Sequence, residues 1–235
     1  MVRDFPKSEL RENLYIYLIK LINIQFITHS LLNNRISFLK NRARNNLHDN
    51  WEVAIVAVLL GFLVFAAIDA IFGKRYFDGS FFIFCLRLVF QGPVFLGMTM
   101  VFLGISRGTN PQASLIFKGF DNWIKSFLLI LMITIFVALW SILLIIPGII
   151  AALSYSMSFF ILADDPQINV FEAIRRSRVI MRGHKTELFL LILSFVGWLF
   201  LSVATAGLLY IFYVGPFYNA TMTEFYESLQ EVSDY

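Results

Sequence analysis

The sequence predicts an all-α protein, a bundle of about six transmembrane helices accompanied by amphipathic helices. The composition is the first indication: 58% of the residues are hydrophobic and 15% are charged, and the mean hydropathy is +0.73. Soluble domains have about 45–50% apolar and about 25% charged residues. The second indication is an apolar run from Leu139 to Met157, interrupted only by Pro147-Gly148. With its flanks it is long enough for two bilayer crossings of about 20 residues each.

Six apolar segments are predicted to span the membrane. A single helix over 127–162 would extend about 54 Å, well beyond one bilayer, so a tight turn at Pro147-Gly148 is preferred to a kink. Residues 1–50 form an N-terminal segment, 51–229 the membrane domain and 230–235 a tail. The predicted spans are 53–72, 81–106, 127–146, 149–163, 188–204 and 208–226.

Three Pro/Gly pairs fall inside apolar segments and are predicted helix breaks. Proline removes a backbone donor and clashes with the preceding turn, so it bends or ends a helix. The freed carbonyls then either face a cavity or are satisfied by neighbouring helices. The pairs are Gly92-Pro93, Pro147-Gly148 and Gly215-Pro216.

Residues 14–32 are apolar but contain Lys20 and His29, and basic residues flank both ends. A helix lying in the membrane interface is the preferred interpretation. A seventh span and a disordered segment are the alternatives.

The distribution of basic residues predicts the orientation. Eight of the 19 Lys and Arg residues lie in 1–50, three in 107–125 and five in 164–185, whereas the opposite side has only Lys74 and Arg75. The positive-inside rule then places both termini in the cytoplasm of a multi-pass protein of the cell membrane.

The 164–185 loop is predicted to contain an amphipathic helix over about 170–182. Asn169 and Glu172 have the spacing of a capping box, and Gly183 suits the C-terminal end. The basic residues of this loop are predicted to contact anionic lipid or a membrane-protein partner, the alternative being a role in topology alone. They are Arg175, Arg176, Arg178, Arg182 and Lys185. A weaker amphipathic pattern in 107–125 aligns Ile116, Phe120 and Trp123.

Asp69 and Arg87 are the charged residues inside the first two spans, both in the outer half. A charge within lipid is costly, by about 2.5 kcal/mol or more, so we expect the two side chains to pair. Snorkelling of Arg87 to the headgroups and a polar cavity for an anionic ligand are the alternatives.

The sequence offers no catalytic constellation and no metal-ligand spacing, so we expect no enzyme, no metal, no cofactor and no nucleic-acid partner. Asp164-Asp165 precedes Pro166 and indicates a helix end rather than an acid pair. The single Cys85 excludes an intrachain disulfide.

Four stretches resemble the bacterial integral membrane proteins of the domain of unknown function nine-seven-five family. The first is 40–51, with the pattern KxxARxxLxxNW, and the second is the central signature in 139–157. The third is 161–177, containing ADDP and EAIRRS, and the last comprises 181–198 and the terminal Phe225-Tyr226-Glu227. The resemblance covers about residues 38–229. It implies a multi-span membrane protein of Gram-positive bacteria and implies no activity.

The preferred function is that of a non-enzymatic accessory or scaffold protein that contacts anionic lipid or other membrane proteins. The alternative is a small-solute permease with a site at the Pro/Gly breaks, although ion-coupled carriers usually need more intramembrane acids. The oligomeric state is left open.

Overall fold

The computed structural model describes Lys20 and residues 30–72, 80–109 and 111–233. These residues are helical or lie in short connections, and no strand occurs among them. Most of the predicted interfacial segment 14–32, the predicted polar turn with Lys74 and Arg75, and the last two residues of the tail lie outside the described residues.

The chain divides into two compact units, 1–38 and 39–235. In the first unit, Lys20 and residues 30–38 are helical. The second unit contains the apolar helices and begins with helical residues 39–47, here α1. Its further elements are α2 (Trp51–Phe72), α3 (Ser80–Ser106), a 3-10 helix (Ala113–Phe120), α4 (Trp123–Leu143), α5 (Ile145–Tyr155), α6 (Ser158–Asp164), α7 (Val170–Ile180), α8 (Lys185–Ala204), a π-helix (Tyr210–Val214) and α9 (Gly215–Ser233).

Five helical segments of the described residues are long and apolar enough to cross a membrane. They are Trp51–Phe72, Ile83–Ser106, Trp123–Leu143, Ile145–Asp164 and Lys185–Ala204. The predicted sixth span, 208–226, is not among them. It comprises the π-helix and the first part of α9, and it ends in polar residues such as Thr223 and Glu224, which the protein buries.

The chain turns between α4 and α5 at Leu144, whose backbone is extended with φ −162° and ψ 144°. The sequence placed this turn at Pro147-Gly148, which instead lies in the first turn of α5. Proline is tolerated there because the first N–H groups of a helix have no intrahelical acceptor. Gly148 allows the two helices to approach, since a Cβ atom at this position would lie 3.0 Å from the Cα of Ser141. The result is a helical hairpin.

The prediction of a helix break at Gly92-Pro93 is wrong, because α3 continues through both residues. Gly92 and Gly97 are instead close-packing positions. A Cβ atom on Gly92 would lie 2.4 Å from the carbonyl oxygen of Ser126 in α4, and one on Gly97 would lie 2.0 Å from that of Ile116. The glycines of α3 therefore admit the backbones of α4 and the 3-10 helix.

The 107–125 connection contains a 3-10 helix rather than the predicted amphipathic α-helix. Ile116 is buried, with 2% of its surface exposed, and Phe120 contacts Phe90 at a ring-centroid distance of 6.2 Å. Trp123, which was predicted to share their face, is half exposed. The difference arises because the connection packs back against α3.

α1 and the end of α9 lie at the same end of the second unit. Arg42 Nη1 is 3.0 Å from Glu231 Oε1. The C-terminal ends of α3 and α6 reach this region too, through Arg107 and Asp164. We call it the polar end, defined by Arg42, Arg107, Asp164, Glu224 and Glu227.

Candidate functional site

The helix α7 is fixed at its start by Asn169, whose side chain accepts a hydrogen bond from the backbone N–H of Phe171 at 3.0 Å. This is one half of the predicted capping box. Glu172, the other predicted member, binds arginine side chains instead. The helix begins at Val170 and ends at Ile180, within the predicted range.

The buried face of α7 packs against the interruption between α5 and α6 and is hydrogen-bonded to it. Ser177 is fully buried, and its hydroxyl donates to the carbonyl of Ser154 at 2.8 Å. The hydroxyl oxygen of Ser177 also accepts a hydrogen bond from the backbone N–H of Met157 at 3.2 Å. One carbonyl and one N–H group at the interruption are thereby satisfied, which fixes α7 in position.

Four of the five residues of the predicted basic cluster form two pairs. Arg175 and Arg176 both bind Glu172, with nitrogen–oxygen distances of 2.6 Å and 3.2 Å. The hydrogen bond from Arg175, with that from Arg176, lowers the pKa of Glu172 to about 2. One carboxylate therefore compensates part of the charge of two arginines.

Arg178 and Lys185 form the second pair. They line a groove of about 270 Å³ with residues of α4 and α5, and within the described chain neither forms an ion pair. Lys185 begins α8, and the chain reaches it through Gly183, whose φ of +85° suits glycine. Arg182 is exposed and belongs to neither pair.

Arg175 and Arg176 also line a cavity of about 460 Å³ between α6, α7 and α9. Asp164, Tyr226 and Gln230 form its opposite wall. The cavity therefore presents both signs of charge.

Arg107 connects the ends of α3, α6 and α9. Its guanidinium binds Asp164 in a bidentate manner at 2.7 Å and 3.1 Å, and its Nε donates to Glu227 at 2.8 Å. These contacts raise the pKa of Arg107, the hydrogen bond to Asp164 contributing most. Burial raises the pKa of Glu227 in spite of the arginine. Tyr226 adds a hydrogen bond from its hydroxyl to Asp164 at 2.7 Å.

Glu224 is the most deeply buried acid of the polar end, with 1% of its side chain exposed. Its Oε1 accepts from Ser106 at 2.6 Å and from Asn46 at 2.7 Å. Arg42 Nε lies 2.7 Å from Oε2. One carboxylate thus joins α1, α3 and α9.

Sequence reasoning missed this network. Asp164 was interpreted only as a helix end, and the acids of α9 were given no role. A signal was present: Glu224, Glu227 and Glu231 follow a helical spacing and share one face, which indicates a common partner surface. Their partners at 42, 106 and 107 are too distant in sequence to be identified.

The structure places Asp69 and Arg87 together. Arg87 Nε donates to Asp69 Oδ1 at 3.0 Å, and Nη2 binds Oδ2. Each side chain remains nearly half exposed. The contact links α2 to α3.

The Pro/Gly pairs lie in separate surroundings and do not form one site. Gly92 packs on α4, Pro147 lines the groove with Arg178, and Gly215 lies near Val58 and Tyr210 at the junction of the π-helix and α9. Among the described residues, no group of three or more His, Cys, Asp or Glu side chains could hold a metal ion.

The fold and this charged end define a polytopic α-helical membrane protein with a basic, amphipathic connecting helix. Residues 141–233 match the family model described as "Protein of unknown function (DUF975)". The match confirms the resemblance over that range, which contains α5 to α9 and the basic helix α7. No curated protein and no solved structure matches the chain.

Proposed function

We propose that this protein is a non-enzymatic accessory protein of the cell membrane whose α7 surface holds anionic phospholipid on the cytoplasmic side. The observation that carries the proposal is the composition of this α7 surface, which is the exposed outer face of the helix. Phe171 and Val179 are exposed there beside Arg175 and Arg178, one helical turn apart along one stripe. Exposed apolar side chains among arginines are typical of a helix in the interface, where the apolar groups enter the acyl boundary and the cations meet phosphates.

The charge balance supports an anionic partner. The loop carries five basic residues, of which Arg175 and Arg176 share Glu172. Arg178, Arg182 and Lys185 form no ion pair with the described acids. Each basic residue near an anionic surface contributes about 1 kcal/mol, and this attraction is screened by salt.

The lipid shell of the full chain tests the proposal. The protein is reconstituted into vesicles of equal parts phosphatidylglycerol and phosphatidylcholine and extracted with a disc-forming copolymer, and the lipids in the discs are quantified. We expect phosphatidylglycerol to be enriched severalfold over the bulk ratio. Replacing all five basic residues of the loop with glutamine should remove most of the enrichment, and raising the salt from about 0.1 M to about 1 M should act in the same direction. A wild-type shell with the bulk ratio would refute the proposal.

The accessory role is tested by affinity purification from native membranes in mild detergent, with co-purifying proteins quantified by mass spectrometry. A stoichiometric membrane-protein partner would support it. A partner-free protein with an unaltered lipid shell would leave the transporter class as the better explanation.

A further inference from the structure

The groove beside α5 that Arg178 and Lys185 line leads to a further inference. It rests on the proposed function and assigns the lipid to one site. We propose that this groove is a binding site for one anionic phospholipid molecule, with the phosphate held by Arg178 and Lys185 and an acyl segment lying along α5 toward the α4–α5 turn.

The two cations of the groove come from different helices. Arg178 follows Ser177 in α7, and the two hydrogen bonds of Ser177 at the α5–α6 interruption fix its position. Lys185 is the first residue of α8. Both line the same groove, and neither has an acidic partner in the described chain. An anion placed between them would therefore contact two positive charges.

Tyr155 supplies a polar group at the same end of the groove. Only 7% of its surface is exposed, and its hydroxyl forms no hydrogen bond with another described residue, although its ring lines the groove. The ring lies against Phe136 of α4 at a centroid distance of 6.1 Å, which orients it. Because Tyr155 lines the groove, its hydroxyl is available to donate a hydrogen bond to a phosphate or ester oxygen of a lipid.

The remainder of the groove is apolar. Trp140, Pro147, Ile150 and Ala151 line it, and the hydroxyl of Ser154 is already used within α5, where it donates to the carbonyl of Ile150 at 2.6 Å. Free phosphate would gain nothing from these walls, whereas an acyl segment would be removed from contact with water or headgroups.

The direction of the groove agrees with the direction of a lipid chain. Pro147 lies near the hairpin turn and Tyr155 at the other end of α5, about 12 Å apart along the helix at 1.5 Å per residue. Arg178 follows Ser177, which is hydrogen-bonded to Ser154 near Tyr155, so its cation lies at the end away from the turn, and the apolar walls extend from there toward the turn.

Lipid titration of the full chain, followed by native mass spectrometry, tests the site. The purified protein in detergent is titrated with dioleoylphosphatidylglycerol and, separately, with dioleoylphosphatidylcholine. We expect one phosphatidylglycerol molecule to bind before any others. The double variant R178Q/K185Q should weaken this first binding by about tenfold or more. The variant Y155F keeps the ring and should weaken it by about threefold.

The variant R175Q/R176Q is the matched control, because it removes the same charge from the same loop but outside the groove. Arg175 belongs to the α7 surface of the proposed function, so this variant should reduce the general attraction for anionic lipid, but it should weaken the first binding event far less than R178Q/K185Q does. Inorganic phosphate at millimolar concentration should not displace the lipid, since it lacks the acyl segment. Displacement by phosphate would identify an anion site without lipid specificity and overturn the inference.

The outcomes separate the two proposals. If phosphatidylglycerol is preferred but both double variants lose it equally, the general attraction of the loop remains supported and the discrete groove site is wrong. If phosphatidylcholine binds as strongly as phosphatidylglycerol in this titration and the vesicle experiment shows no enrichment, both fail. Melting temperatures of the variants, measured alongside, identify any loss of folding, and Y155F provides a readout that leaves the charges in place.

Discussion

Glu224 shows how one side chain holds several helices at the polar end. Its carboxylate is buried and meets Ser106, Asn46 and Arg42, which come from two other helices. Removing one partner from a buried charged group leaves the others without a partner, which costs more than the intact contact contributes. The stability of the second unit should therefore depend on this residue more than on any exposed acid of α9.

We predict that E224A lowers the free energy of unfolding by about 3 kcal/mol. The matched control is E231A, because Glu231 also binds Arg42 but has 60% of its side chain exposed. Its loss should cost no more than about 1 kcal/mol. Thermal unfolding in detergent measures both. Equal effects of the two substitutions would show that burial of Glu224 does not matter.

Glu172 determines how the α7 surface responds to pH. Its pKa is lowered to about 2 by Arg175 and Arg176, whereas the unfolded value is 4.5. A lowered pKa stabilises the folded form above the unfolded pKa, and this contribution disappears as the pH falls from about 4.5 to about 2. The charge of the α7 surface should therefore stay constant between pH 7 and pH 5.

The expected observation is that the ¹³C-labelled carboxyl signal of Glu172 in the full chain titrates near pH 2. The variant R175Q/R176Q should return its midpoint to about 4.5, because both hydrogen-bond donors are removed. A wild-type midpoint already near 4.5 would contradict the contacts described for α7.

At the level of the elements, the sequence placed most helices correctly but not their connections. Apolar length predicts α2, α4 and α8 to within about four residues, since a bilayer imposes a minimum span. Proline was misleading in two places. Pro147 begins α5 rather than forming the turn, and Pro93 lies inside the continuous α3. Tertiary packing decides such positions, and a single sequence does not display it.

Gly97 illustrates this packing and gives a prediction at the same scale. A Cβ atom there would lie 2.0 Å from the carbonyl oxygen of Ile116, so α3 and the 3-10 helix must separate when it is replaced. We expect G97A to destabilise the protein by about 1–3 kcal/mol. G197A in α8, where nothing lies within 4 Å of the new atom, should be neutral or slightly stabilising. Melting temperatures in detergent compare the two, and similar values would contradict the close approach.

For the molecule as a whole, the polar network and the basic residues indicate one orientation. Arg42 and Glu231 are in contact although they are far apart in the sequence of the second unit, so α1 and the end of α9 lie on the same side. Sixteen of the 19 basic residues fall in segments predicted on that side. From the positive-inside rule we predict that this side faces the cytoplasm.

A green fluorescent protein fused to the C-terminus should fluoresce, and an alkaline phosphatase at the same position should be inactive. The reciprocal result is expected for fusions placed after Phe72, at the other end of α2. An active phosphatase at the C-terminus would reverse the orientation, and the α7 surface would then face the opposite leaflet.

The α4–α5 turn has a consequence for how the chain enters the bilayer. Residues 142–146 are all apolar, and each has 64–83% of its surface exposed. The backbone of Leu144 is satisfied within the turn, because its N–H donates to Trp140 at 3.0 Å and its carbonyl accepts from Gly148 at 3.3 Å. No hydrophilic loop has to be translocated between these two helices. The hairpin can therefore insert as one unit from a single side.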